Sequence, residues 1–356
     1  MTNTANESIT ETGAYYKPVP YFEIDMPFIA GHKWPLTLID MALSRGVEEY
    51  KLLRNTGIFR EDIASKNIQL SPQQCFQLIS NIQKHTHSNE LSFLLGHQFF
   101  SAPDTAVTKT LIKAANLQTA IDTLIEYQIQ LMPLLNLRVC YEQDRLVIYW
   151  QDACGADTSM PFLLELMFTA FSSLSRWQSG ENLPWQFYFT HSKPHYIEQY
   201  EVHLNNKVQF SSQANAMAIT RDYLHHPWKN SRAGTLTHAL PAADAHHQSL
   251  PFQRGFLSEL YHYLHHNIQH NPNLEQTADA FGMSSASLKR KLKKHHSHFQ
   301  EQYDLVRKDL ALYWLHQAGW SKEQVARELH FYDVANLRRA FKKWTGNLLP
   351  AVDRRS

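Results

Sequence analysis

Cysteine is scarce, with three residues in 356 and no Cys-x-x-Cys spacing among them. Cys75, Cys140 and Cys154 therefore argue against a disulfide scaffold or a cysteine-rich zinc site, and read as small buried thiols in a reducing cytoplasm. Long apolar runs are also missing. No stretch approaches the roughly eighteen uninterrupted apolar residues of a membrane span. Even FLLELMFTAF is broken by Glu165 and has the length of a buried helix. The opening residues, MTNTANESITETGAYYKPVP, lack a basic start followed by an apolar run, so no secretory signal is expected. No Gly-rich phosphate loop, GxSxG elbow or HExxH pattern occurs, and an enzyme has no motif to carry it.

Histidine, by contrast, is plentiful at 21 residues. His262, His265 and His266 have the i, i+3, i+4 spacing that can hold zinc or nickel on a helix. Pairs at His225-His226, His246-His247 and His295-His296 add to the impression. Yet no cysteine or carboxylate joins them in a recognised ligand pattern, and neither a metal nor a cofactor is expected.

The length suggests two domains of unequal size, and 43% hydrophobic residues allow a sizeable core. The net charge of +1 conceals a division. From residue 251 onward there are 16 Lys and Arg against 10 Asp and Glu; before it there are 18 against 23. One polyanion-binding part attached to a neutral or acidic part accounts for that asymmetry.

Residues 1–20 read as a loose tail. A helical pattern from Leu36 to Thr56 ends at Gly57, and Ser71-Pro72 opens a helix running through Ile82. Two further helices cover 105–115 and 117–131, with Leu117, Ile121, Leu124 and Ile125 on one stripe. LRVCYEQDRLVIYW then reads as two strands around the turn Glu142–Asp144, followed by a helix from Pro161 to Gln178 and a strand in PWQFYFTH. Phe93, Tyr127, Phe162, Phe168 and Phe171 read first as core and second as the lining of an apolar pocket. Residues 229–250 mix small and polar residues without an apolar stripe and read as a linker.

Past Pro251 the sequence is helix-forming, and two segments can be superposed: QTADAFGMSSASLKRKLKKH (276–295) and QVARELHFYDVANLRRAFKKW (324–344). Each has a short helix with a small residue, Ala278 or Ala326, where a second helix must come close. Each then passes an apolar residue, Phe281 or Leu329, and a turn into a helix with a basic face. The offset is 48 residues in the first helices and 49 in the second, so the second turn holds one residue more. Short scaffold helix, compact turn and exposed reading helix are the parts of a helix-turn-helix.

In the second helices, Leu288 with Leu292 and Leu337 with Phe341 define buried stripes. The opposite faces hold Ala286, Ser287, Arg290, Lys293 and Lys294 in one, and Ala335, Asn336, Arg339, Lys342 and Lys343 in the other. Arg290 and Arg339 occupy equivalent points. An arginine there can bond bidentately to a guanine edge, while lysines and Ser or Asn reach phosphates or other base edges. A single such helix reads equally well as the solvated basic face of a bundle; two in the same register favour DNA. Between the units, FQEQYDLVRKDLALYWLH (299–316) reads as a long helix with Leu305, Leu312 and Leu315 inward, holding two reading heads about one DNA turn apart. Non-specific nucleic-acid binding is the alternative, and competition by random DNA separates the two.

These residues resemble the AraC/XylS family of bacterial transcription regulators. The resemblance rests on ARELHFYDVANLRRAFKKWTG (326–346), with Phe331, Arg339, Ala340, Phe341, Lys342, Trp344 and Gly346 at the family's positions, and on the upstream ADAFGMSSASLKRKL and VRKDLALYWL. Residues 36–228 also resemble the arabinose-binding-like sensor domain of a subgroup, through LSFLLGHQF, the helices at 111–131, and FYFTHSKPHYIEQYE leading to VQFSSQANAMAI. The resemblance implies an α+β N-terminal sensor domain followed by an all-α C-terminal domain with two helix-turn-helix units. The limits expected are a tail (1–20), an effector-sensing or dimerising domain (21–228), a linker (229–250), a DNA-binding domain (251–350) and a tail (351–356). It further implies promoter DNA, RNA polymerase, a small-molecule effector of unknown identity and a possible homodimer as partners, with no membrane. Activation and repression stay open. Departures are His330 where a turn glycine is usual, Ala286 where an arginine is common, and Pro350 one place late. His330 is expected in a left-handed conformation that costs about 1 kcal/mol without glycine.

Overall fold

The computed structural model describes residues 16–59, 61–62, 68–86, 88–101, 105–204, 207–231 and 239–349. The expected tail over 1–15, part of the expected linker (232–238) and the chain from Pro350 onward lie outside them. The chain divides into two compact units, Phe22–Gly255 on one hand and Met1–Tyr21 with Phe256–Ser356 on the other. No helix among the described residues is long and apolar enough to cross a membrane.

The larger unit is α+β. Its helices include α1 (Trp34–Leu43), α2 (Pro72–His85), α3 (Leu91–Phe99), α4 (Ala106–Ile112) and α5 (Leu117–Glu126). The pattern expected as one helix over 36–56 is broken: α1 stops at Leu43, and only Glu49–Leu52 is helical beyond it. Gly46 causes the break, because its φ of +78° reverses the chain. The start of α2 follows its sequence signal closely. Ser71 accepts from the Gln74 N–H, the Gln74 side chain accepts from the Ser71 N–H, and Pro72 opens the helix. The expected helix over 117–131 is interrupted at Tyr127 and resumes for one turn over Gln128–Leu131.

Strands β1 (Leu135–Tyr141) and β2 (Arg145–Asp152) form the hairpin expected around Glu142–Asp144, in the register Leu135↔Asp152 to Tyr141↔Leu146. Helix α6 (Met160–Ser179) follows, then β3 (Gln186–Tyr188), α7 (Ile197–Leu204), β4 (Val208–Gln209) and β5 (Ala216–Thr220). The sheet order is β1-β2-β5-β3-β4, antiparallel except for the parallel pair β3–β4. Alternation along β2 sends Leu146, Ile148 and Trp150 into the main core and Val147 to the other face, with Ala216 and Ala218 of β5.

Helix α6 is apolar nearly all round because it is covered on two sides. Phe168 meets Phe187 and Phe189 of the sheet region at 5.8 and 5.0 Å between ring centroids. On its far side α6 crosses α3 at Gly96, where a Cβ would stand 2.6 Å from the Leu166 carbonyl oxygen and 2.7 Å from the Thr169 Cβ. Phe93, Tyr127, Phe162, Phe168 and Phe171 are all buried core.

Two segments expected to be loose are ordered. Within 229–250, residues Ala239–Ser249 form helix α8. Ala243 is fully buried, its carbonyl accepts from Gln130 Nε2 at 3.1 Å, and the Asp244 carboxylate accepts from the Tyr127 hydroxyl. Small residues let this helix lie close without an apolar stripe. Near the N-terminus, Tyr16 Oη and the Val19 N–H both donate to Glu259 Oε1 at 2.9 Å, and Tyr16 stacks on His266 at 4.9 Å. These bonds lie within the smaller unit and fix the segment that precedes Tyr21.

Substituting Gly96→Ala overpacks the α3–α6 crossing and is expected to cost about 1–3 kcal/mol. Denaturant titration followed by near-UV circular dichroism checks this; an unchanged midpoint contradicts the close approach.

Candidate nucleic-acid interface

The smaller unit contains six principal helices: α9 (Phe256–His266), α10 (Leu274–Ala280), α11 (Ser285–Lys294), α12 (Phe299–His316), α13 (Lys322–Glu328) and α14 (Val334–Thr345). The scaffold helices α10 and α13 start on matching capping boxes. Asn273 and Gln276 exchange side-chain and backbone hydrogen bonds at 2.9 and 3.0 Å, and Ser321 and Gln324 do the same at 3.1 and 2.8 Å. Each box satisfies two backbone donors that a helix start otherwise leaves orphaned.

Ala278 and Ala326 are buried where the second helix of each unit approaches. The turns then correspond bond for bond. The Met283 N–H donates to the Ala278 carbonyl at 3.0 Å, and the Phe331 N–H to the Ala326 carbonyl at 2.8 Å. Gly282 at φ +65° and His330 at φ +58° hold the same left-handed position. The expected strain at His330 is therefore present, and His330 Nε2 also lies 3.1 Å from the Ile268 carbonyl. Reading helix α11 begins on Ser284, which accepts from the Ser287 N–H at 3.2 Å; α14 begins on Asp333, which accepts from the Asn336 N–H at 2.6 Å. Phe331 matches Met283 and Asp333 matches Ser284, so the extra residue of the second turn is Tyr332. Its side chain is 95% exposed.

Leu288, Leu292, Leu337 and Phe341 are fully buried. On the opposite faces Ala286, Arg290, Lys293 and Lys294 are exposed with Ser287 half-buried, and Ala335, Arg339, Lys342 and Lys343 are exposed with Asn336 half-buried. All ten residues picked from the sequence thus stand on two solvent-facing helix surfaces. Asn336 Oδ1 accepts from Arg339 Nη2, which restrains the guanidinium along α14. Lys291, off the exposed face, donates to Tyr21 Oη at 2.9 Å and lies 4.9 Å from that ring's centroid.

Two residues escaped the sequence reading. In the sequence Tyr332 shows only as a length difference between the repeats. Arg307 of α12 gave no signal, because its role depends on a partner 22 residues away. Its Nε and Nη2 both donate to the Leu329 carbonyl, and its guanidinium lies 4.0 Å from the Phe331 ring centroid and 5.1 Å from that of Tyr303. Burial pulls its pKa below the usual arginine value. The inward stripe of α12 also differs from the expected one. Val306, Leu310, Ala311, Trp314 and Leu315 are buried, whereas Leu305 and Leu312 are half-buried at the margin. Trp314 turns the stripe by stacking on Trp320 at 4.7 Å.

On α9, His266 Nδ1 lies 2.8 Å from the His262 carbonyl, and the His265 ring stacks on Tyr261. Among the described residues no three His, Cys, Asp or Glu side chains are grouped to hold a metal.

At position 330 two effects oppose each other. Glycine relieves about 1 kcal/mol of left-handed strain but loses an imidazole–carbonyl hydrogen bond of similar net worth. His330→Gly should leave the thermal midpoint close to that of the parent. His330→Val loses the hydrogen bond without relieving the strain, adds β-branching at a positive φ and should cost about 1–2 kcal/mol; equal behaviour of the two variants contradicts the strain.

A family model described as the N-terminal arabinose-binding domain of AraC transcription regulator matches residues 46–228, and a helix-turn-helix domain model matches residues 277–355. Over 312 residues the chain is similar to the ornithine utilization regulator of Pseudomonas aeruginosa, at 25% identity, covering 87% of this chain and 92% of that protein. The crystal structure of the transcriptional regulator CdpR from Pseudomonas aeruginosa aligns with 89% of this chain and 96% of its own, at 15% identity and a TM-score of 0.42. The first model alone spans more than half of the sequence, and the chain belongs to the AraC-type transcription regulators, non-enzymatic proteins with an N-terminal ligand-binding domain and a C-terminal helix-turn-helix DNA-binding domain.

Proposed function

We propose that this regulator reads a bipartite promoter site with α11 and α14 in successive major-groove segments. The observation that carries the reading is the pair of exposed basic faces in matching register, each behind the same cap, turn and scaffold helix. Arg290 and Arg339 each bond a guanine edge bidentately. Lys293, Lys294, Lys342 and Lys343 bind phosphates, and Ser287 and Asn336 reach base edges or phosphates. Ala286 and Ala335 are small enough for the helix starts to come near the groove floor. Tyr332, on the extra turn residue, contacts the backbone beside α14.

In this reading residues 21–228 sense an effector and 251–350 bind DNA, joined through 229–250. Effector binding controls promoter occupancy. Membership of the family supports contact with RNA polymerase, dimerisation through the sensor domain and action in the cytoplasm as parts of this reading, by analogy alone.

Arg290→Ala and Arg339→Ala should each relax base preference at a different half of the site, costing roughly 1–3 kcal/mol on the preferred sequence. Binding-site selection on randomised DNA checks this; uniform weakening on all sequences reduces both arginines to phosphate contacts. Lys294→Ala should lower the slope of log affinity against log salt by about 1 without changing preference.

A further inference from the structure

In the N-terminal unit, a cavity of about 30 Å³ lies among α2, α3, α6 and the segment just before α7, with Thr86, Ser92, Phe162, Glu165 and Tyr196 in its wall. Space of that size accommodates a water molecule or an ammonium group. Gln83 and Asn89, both exposed, stand at its rim and give it a way out to solvent. Beside the apolar Ile82, Leu91 and Phe162, the wall carries polar groups where a core is normally apolar, Glu165 among them.

Glu165 is only 3% exposed. Oε1 accepts from Tyr196 Oη at 2.9 Å and from Tyr200 Oη; Oε2 accepts from Ser92 Oγ at 2.6 Å. A carboxylate has about four acceptor sites, and these three donors leave one on Oε2. Among the described residues no cation stands beside it: its surroundings are burial and three hydroxyls. Burial pushes its pKa up to about 7, against the hydroxyl hydrogen bonds, which lower it. An apolar side chain of similar volume would pack α6 without the desolvation cost of a carboxyl group. A buried carboxylate with preset donors, a vacant acceptor site and an adjoining space of ammonium size is a receptor for a cationic head group.

We propose that this cavity is the effector site, and that it takes a primary ammonium compound whose charged head meets Glu165 and whose tail leaves past Gln83 and Asn89. The proposal rests on the effector-controlled reading given above and adds the site and the ligand class. The acceptor stands on α6, and its donors come from α3, from α7 and from the segment just before α7. Ser92 comes from α3, whose crossing with α6 at Gly96 brings its hydroxyl onto the carboxylate. Tyr196 precedes α7, and Tyr200 lies within it, where its hydroxyl is also 3.2 Å from His191 Nε2. A ligand drawing on Oε2 therefore pulls on α3, α6 and α7 together.

The test is calorimetry and thermal shift on the full chain with 1-aminobutane and 1,4-diaminobutane, and with butan-1-ol and butanoate as neutral and anionic counterparts. The amines should bind and raise the melting temperature, and the counterparts should not. Glu165→Gln keeps the shape and should weaken amine binding by roughly tenfold or more, the scale of a hydrogen bond to a charged group. Gln83→Lys lies on an exposed helical position that tolerates the change, and its tethered ammonium should weaken amine binding while leaving the fold intact. Equal binding of butan-1-ol, absence of amine binding, or amine binding insensitive to both variants overturns the assignment. Footprinting with metabolite extracts on the same samples separates the levels. A footprint that responds while amines fail removes this site and its ligand class and leaves the effector-controlled reading standing; one that never responds removes that reading as well.

Discussion

A backbone position that disfavours side chains sets the direction of the second helix in both helix-turn-helix units. At the end of each scaffold helix the chain must turn within a few residues into α11 or α14, and one residue in the left-handed region makes that possible. Gly282 takes the conformation without penalty. His330 takes it because the surroundings hold it: the Phe331 N–H is bonded to Ala326, and the imidazole reaches the Ile268 carbonyl. Given that turn, the rest of the unit follows. Buried Ala278 or Ala326 allows the close crossing, Leu288 with Leu292 or Leu337 with Phe341 fills it, and the opposite face is delivered to solvent.

A comparable constraint organises the larger unit. Helix α6 is covered by the sheet on one side and by α3 on the other, and Gly96 lets α3 approach until any Cβ would collide with α6 backbone. Such proximity leaves little choice for polar groups along the seam. Ser92 sits one turn before Gly96, Glu165 one turn before Thr169, and the two side chains meet at 2.6 Å. A carboxyl group placed there has to be met by donors, and Tyr196 and Tyr200 supply the rest. The polar knot thus follows from the packing of two apolar helices.

Periodic features were legible in the sequence. The α11 and α14 stripes, the Ser71 cap, the β1–β2 hairpin and the two-part α+β and all-α organisation all announce themselves through spacing or turn chemistry, and all ten candidate residues proved solvent-facing or nearly so. What stayed hidden depends on contacts remote in sequence. Helix α8 has no apolar stripe because its hold comes from Tyr127 and Gln130, more than a hundred residues earlier. The α12 stripe was misplaced because Trp314 is drawn round by Trp320 after the helix has ended. The break at Gly46 was missed because a glycine within a helical pattern carries no sign of its own φ. Glu165 was visible as an interruption of an apolar run, but its three hydroxyl partners come from elements 31 to 73 residues away.

The same distinction makes the two helix-turn-helix units unequal. In the first, Gly282 sets the turn without strain, and Lys291 is engaged beside the exposed face by Tyr21. In the second, the turn is strained at His330, lengthened by Tyr332 and clamped from α12 by Arg307, whose guanidinium grips the Leu329 carbonyl and covers Phe331. One added residue enlarges the loop's freedom, and two N–H donors on the Leu329 carbonyl, just past the end of α13, restrain it. The second reading helix therefore owes its orientation to the connecting helix as well as to its own scaffold.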